Sequence, residues 1–125
     1  MKIPSPPVNP ENQAFFDAAR EGKLMLKHCN ACKEVHYYPR AACPFCGSER
    51  TEWIAAKGSG RIYSYSVMRR VEKPFAIAYV TLDEGVTMLT NLVDCDFDRL
   101  TIGASVKIIF RKMENGDAIP MFTPA

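Results

Sequence analysis

The chain has 125 residues, 47% hydrophobic and 24% charged, the balance of a soluble globular protein about one domain long. Sixteen basic against 14 acidic residues leave a net charge of +2, too small for a protein that lives mainly on phosphate backbones. No apolar run approaches the ~20 residues of a membrane span. The start Met1-Lys2-Ile3-Pro4-Ser5 lacks the apolar core of an export signal, so a cytoplasmic protein with no membrane partner is expected.

Four of the nine prolines fall in the first ten residues, which predicts an extended arm. A helix over 11–21 follows: Asn9 can cap it, Pro10 suits its first turn, Glu11 complements its dipole and Gly22 suits a left-handed stop. At ~100° per residue, Ala14, Phe15, Phe16, Ala18 and Ala19 spread over roughly 200°, wider than the stripe that covers one core. The expectation is that Phe15 or Phe16 docks on a partner subunit; the alternative is that both rings pack in the chain's own core.

Residues 23–27 read as a strand entering, and 34–39 as a turn and strand leaving, a cysteine knuckle. Cys29-Asn30-Ala31-Cys32 and Cys43-Pro44-Phe45-Cys46 are two C-x2-C pairs ten residues apart. In a reducing compartment this spacing points to a metal rather than to disulfides. Each pair sets two thiolates on one tight turn, and two turns complete a tetrahedral sulfur cage with no open position, which makes the site structural. Zinc is the expected ion, with iron as the softer-ligand alternative. With Cys29, Cys32, Cys43 and Cys46 as ligands, His28 and His36 are not needed in the cage. Cys95 stands among Asp94, Asp96 and Asp98, where carboxylates disfavour a nucleophilic thiolate, and reads as a small core residue.

Beyond Gly47 the pattern is strands broken by turn residues: 52–57, 61–70, 75–82, 86–94 and 105–113, with a short tail at 118–122. Gly58-Ser59-Gly60 reads as a tight turn, and a longer connection lies near 96–100. Five or six strands in so short a segment escape the edge problem by closing, so a small OB-fold barrel is expected, with an SH3-like barrel as the alternative. The predicted fold is mainly β. An arm and helix occupy 1–22, a rubredoxin-like zinc ribbon 23–50 and the barrel 51–125.

This order resembles the zinc-ribbon/OB-fold proteins associated with thiolases and acyl-CoA enzymes, formerly a domain of unknown function. The resemblance is carried by Phe15-Phe16, Gly22-Lys23-Leu24, the knuckles with Tyr38-Pro39-Arg40 between them, Trp53, the 58–64 segment Gly-Ser-Gly-Arg-Ile-Tyr-Ser, Asp83-Glu84-Gly85 and Ile119-Pro120-Met121-Phe122. It implies a non-catalytic accessory subunit that partners a thiolase-like acyltransferase or an acyl-CoA hydratase and binds or positions acyl-CoA. A CoA binder needs cations beside a groove, and Arg40, Lys57, Arg61, Arg69, Arg70 and Lys73 are the candidates. Two other readings compete. Tyr63, Tyr65 and Tyr79 on the central strands suit a single-stranded nucleic-acid binder, although nine basic and nine acidic residues after position 50 argue against one. Iron in the cage would suit a rubredoxin-like electron carrier, which leaves the barrel without a role.

Overall fold

A computed structural model describes residues 9–125; the expected proline-rich arm at 1–8 lies outside the described residues. Helix α1 spans Gln13–Arg20. Its start is three residues later than the cap at Asn9 implied, because the Asn9 Oδ1 accepts from the backbone N–H groups of Glu11 and Asn12 and so closes a turn ahead of the helix.

The docking expectation for Phe15 and Phe16 is corrected: they are 2% and 1% exposed. The broad apolar face has a different explanation, since α1 lies against both ribbon strand β1 (Met25–Cys29) and barrel strand β8 (Ala118–Pro124). Phe15 meets Tyr37 and Tyr38 at ring distances of 5.8 and 5.5 Å, and its edge packs on Phe16 at 5.3 Å. A polar bracket completes the junction: Arg20 pairs with the buried carboxylate of Asp117, which the Asn115 side-chain amide also contacts at 3.0 Å. Leaving a buried carboxylate unpaired is costly, so this bracket fixes the helix to the turn before β8.

The ribbon is a three-stranded antiparallel sheet in the order β2-β1-β3, with β2 at Val35–His36 and β3 at Thr51–Ala55. The barrel expected over 51–125 therefore begins later. β3 pairs along its whole length with β1, from Met25↔Ala55 to Cys29↔Thr51, and belongs to the ribbon sheet. Without β3 the ribbon would be a two-residue hairpin, too short to hold itself.

The remaining strands, β4 (Ser59–Met68), β5 (Phe75–Leu82), β6 (Thr87–Leu92), β7 (Ser105–Lys112) and β8, close in the order β4-β5-β6-β8-β7, with β7 returning to β4. A short 3-10 turn at Phe97–Arg99 fills the connection between β6 and β7. This is the five-stranded Greek-key barrel of an OB-fold. The tail at 118–122 is a full barrel strand. It pairs with β7 from Val106↔Pro124 to Lys112↔Ala118 and meets β6 in parallel at Leu92↔Phe122.

Gly60, read from sequence as part of a turn, lies inside β4. A Cβ there would sit 2.5 Å from the Thr81 carbonyl, so the glycine permits a close approach of β4 to β5 rather than a reversal. Gly58 does make the turn, at φ +83. One contiguous core joins all three parts, with Phe16 of the helix, Leu24 and Leu26 at the ribbon, and Ile62, Val80 and Phe122 of the barrel in a single cluster. Among the described residues no helix is long and apolar enough to cross a membrane.

Candidate metal centre and barrel surface

Strand β1 delivers Cys29, and the knuckle turn that follows delivers Cys32; the loop after β2 brings in Cys43 and Cys46. All four sulfurs lie within 4.8 Å of one another. The Sγ separations are 3.6 Å for Cys29 and Cys46 and 3.7 Å for Cys32 and Cys43. A tetrahedron built on ~2.3 Å metal–sulfur bonds has edges of about 3.8 Å, so the four thiols fit a tetrahedral thiophilic ion.

The backbone is arranged for thiolates. The N–H of Cys32 points at the Cys29 sulfur and lowers that thiol to about 6, although burial opposes it. The Cys32 thiol has a favourable backbone N–H from Glu34, yet burial and the neighbouring sulfurs push it up to about 12. Four like charges so close cannot coexist alone, and a bound cation is what makes all four thiolates compatible. His28 and His36 stand outside the cluster, as the cage geometry requires. The His28 Nδ1 is 3.2 Å from the Asn30 Oδ1.

His36 carries information of another kind. Its ring is 3% exposed, and neither nitrogen has a hydrogen-bond partner. Burial lowers its pKa below the usual 6.5; the nearby backbone of Arg40 works against this shift, and the charges of Lys27 and Arg40 add to it. The native state binds this proton less readily than the unfolded chain, whose histidine titrates near pH 6.5, so His36 makes stability rise with pH between the folded and unfolded pKa values and fall as the pH drops through that interval. Thermal unfolding of the metal-loaded protein between pH 7.5 and 5 should therefore show a steeper loss for wild type than for His36→Leu. Thiolate protonation is common to both proteins, so equal losses would mean that His36 does not titrate on unfolding.

The cationic candidates are not gathered into one site. Arg40, on the ribbon, pairs with Glu11 at 3.6 Å, and the same carboxylate accepts the Ala41 N–H, pinning this loop to the start of α1. Lys57 is exposed on the linker between β3 and β4, and Arg61 donates to the Gly103 carbonyl. Arg69, Arg70 and Lys73 lie on the β4–β5 hairpin, eight or more residues beyond Arg61 and so about 25 Å along the strand. Arg69 pairs with Asp98 at 2.7 Å, whereas Arg70 and Lys73 have no ion pair among the described residues. Cys95 is half-buried, and burial with Asp94 and Asp96 raises its pKa, in keeping with a core thiol.

One surface takes in Tyr63 and Tyr79, two of the tyrosines that the sequence offers for base stacking, together with Leu89, which it does not single out. Tyr63, Tyr79 and Leu89 are 66%, 49% and 53% exposed on the outside of β4, β5 and β6. Its signal was the 75–80 run Phe-Ala-Ile-Ala-Tyr-Val, which is apolar at both alternations although a half-buried strand needs only one apolar face.

Family models match both halves of the chain: the ChsH2 rubredoxin-like zinc ribbon domain over residues 16–52 and the ChsH2 C-terminal OB-fold domain over 53–111. A DUF35 domain-containing scaffold protein of Methanothermobacter thermautotrophicus is 36% identical over 71% of this chain and 73% of its own length. The chain belongs to the ChsH2 (DUF35) family. A solved structure described as the Ltp2-ChsH2(DUF35) aldolase superposes on this family member with a TM-score of 0.81 at 34% identity, covering 96% of this chain and 98% of that one. A probable enoyl-CoA hydratase alpha subunit of Thermomonospora curvata is 35% identical over 98% of this chain. The chain spans 40% of that subunit's length. The ChsH2 zinc-ribbon match and the tetrahedral cysteine cluster agree on a structural metal.

Proposed function

We propose that the chain is a non-catalytic accessory subunit of an acyl-CoA enzyme, thiolase-like or hydratase, which it helps to bind or position acyl-CoA. The likeness over 96% of its length to the ChsH2 chain of an aldolase carries this reading. The hydratase-subunit relative supports it, because there a module of this kind makes up 40% of a longer enzyme subunit. In this reading zinc fills the Cys29, Cys32, Cys43 and Cys46 cage and holds the ribbon, and the barrel presents the working surface. Arg70 and Lys73 are the proposed phosphate contacts, since their charges are not spent on neighbouring carboxylates. Lys57 and Arg61 lie apart from that hairpin, and Arg40 and Arg69 are already engaged by Glu11 and Asp98.

The test is acyl-CoA binding by the chain together with the enzyme it co-purifies with. Charge reversal of both Arg70 and Lys73 should weaken acyl-CoA binding about 10-fold or more, at two charge-assisted contacts of roughly 1–2 kcal/mol each. Unchanged binding would remove both from the CoA site. Metal analysis of the purified protein should return one zinc per chain and no visible colour; a coloured protein would favour iron.

A further inference from the structure

The barrel has one face built to be covered. β4, β5 and β6 together contain a single charged residue, Arg61. The register pairs Ser64 with Tyr79, Tyr79 with Leu89, and Ser66 with Ile77, so these side chains share the outer face, while Ile62, Ala78 and Val80 fill the core. The bulge between Ile62 and Ser64 turns Tyr63 outward as well. With Ile77 and Met68 38% and 43% exposed beside Tyr63, Tyr79 and Leu89, roughly 500 Å² of large apolar side chain faces water, the upper end of what a monomer shows. A shallow cleft of about 140 Å³ lies on this face between Ser64, Tyr65 and Ser66 on one side and Ile77, Tyr79 and Leu89 on the other. That is room for one apolar side chain, the anchor on which binding energy concentrates.

We infer that the outer face of β4, β5 and β6 is where the acyl-CoA enzyme docks, through an apolar patch of its own; this rests on the accessory-subunit reading above. Charge sets the partner's chemistry. A charged surface laid on this face would lose its hydration with nothing to pair it, so the centre of the partner's patch is apolar. At the Met68↔Phe75 end the face continues into the exposed hairpin carrying Arg70 and Lys73, the cations proposed above for the CoA phosphates, so an acyl-CoA enzyme docked here would hold its substrate beside them. Area points to a larger partner. A stable interface buries about 800 Å² on each side, so the apolar face supplies its centre and the hairpin its border.

The experiment captures partners from host lysate on tagged full-length chain, identifies the enzyme by mass spectrometry, and titrates that purified enzyme against wild type and Tyr79→Ser/Leu89→Ser. The pair should lose affinity at least 100-fold with an unchanged melting temperature. Leu89→Arg alone serves if the pair proves unstable. Capture of the acyl-CoA enzyme equally by wild type and Tyr79→Ser/Leu89→Ser overturns this inference and leaves the accessory reading standing. Recovery of no acyl-CoA enzyme on wild type overturns both. A wild-type dimer that Leu89→Arg dissociates would assign the face to a second copy and overturn the inference as well.

Discussion

Cys29→Ser is expected to abolish metal binding and unfold the ribbon while the barrel keeps its strands. Cys29 is fully buried at the end of β1, and its sulfur lies 3.6 Å from that of Cys46. Structural zinc contributes an apparent ~10–16 kcal/mol to folding in small zinc-finger domains, comparable with the whole stability of a typical protein. Beyond Leu24, Leu26 and the rings that join the common core, the cysteine-bearing part of the ribbon has little else to draw on, because β2 is two residues long and the loops from Asn30 to Glu34 and from Arg40 to Arg50 have few buried apolar side chains. The barrel strands β4 to β8 pair only with one another, so their hydrogen bonds do not depend on the cage. Hydrogen exchange checks this directly. Amides of Met25–Cys29 and Thr51–Ala55 should lose protection in the variant, and equally after chelator treatment of wild type, while β5 and β7 amides stay protected. A ribbon that remains protected without metal would mean that the cage is dispensable for folding.

Phe122→Ala should cost about 3–5 kcal/mol, the usual penalty for emptying a buried aromatic site. Phe122 has no exposed surface and stands where the barrel closes. It is opposite Ile108 on β7 and in parallel register with Leu92 on β6, and its carbonyl accepts the Val93 N–H at 2.9 Å. β6 and β8 share only that one registered pair, so the ring's packing does much of what a longer ladder does elsewhere in the barrel. Thermal unfolding should shift down by roughly 10–25 °C. Thr87→Ala, on the exposed end of β6, should move it by less than about 2 °C. A small shift for Phe122→Ala would mean that the barrel closes without the ring.

The cage was legible because its information is local: two C-x2-C pairs declare their turns and their ligands within a few residues. The barrel was legible as a count of strands and breaks, and its closure followed from the edge problem. What could not be read was pairing at long range. Thr51–Ala55 has the same β pattern whether it lies in the ribbon or in the barrel, and only its register with Met25–Cys29 decides. Gly60 reads as a turn residue because nothing near it in sequence announces the Thr81 carbonyl that a side chain there would strike. The breadth of the apolar face of α1 is readable from its sequence, but whether a partner or the chain's own core covers it is not; ribbon and barrel cover it from two sides. The apolar outer face of β5 was present in the 75–80 run, but its meaning needed the register that places Tyr79 beside Leu89.

The accessory-subunit account is tested most directly by the activity of the co-purified acyl-CoA enzyme before and after this chain is stripped from it. Stripping should lower kcat/KM for acyl-CoA at least 10-fold, and adding back wild-type chain should restore it, while the chain alone turns over no acyl-CoA. An enzyme equally active with and without the chain would contradict the account.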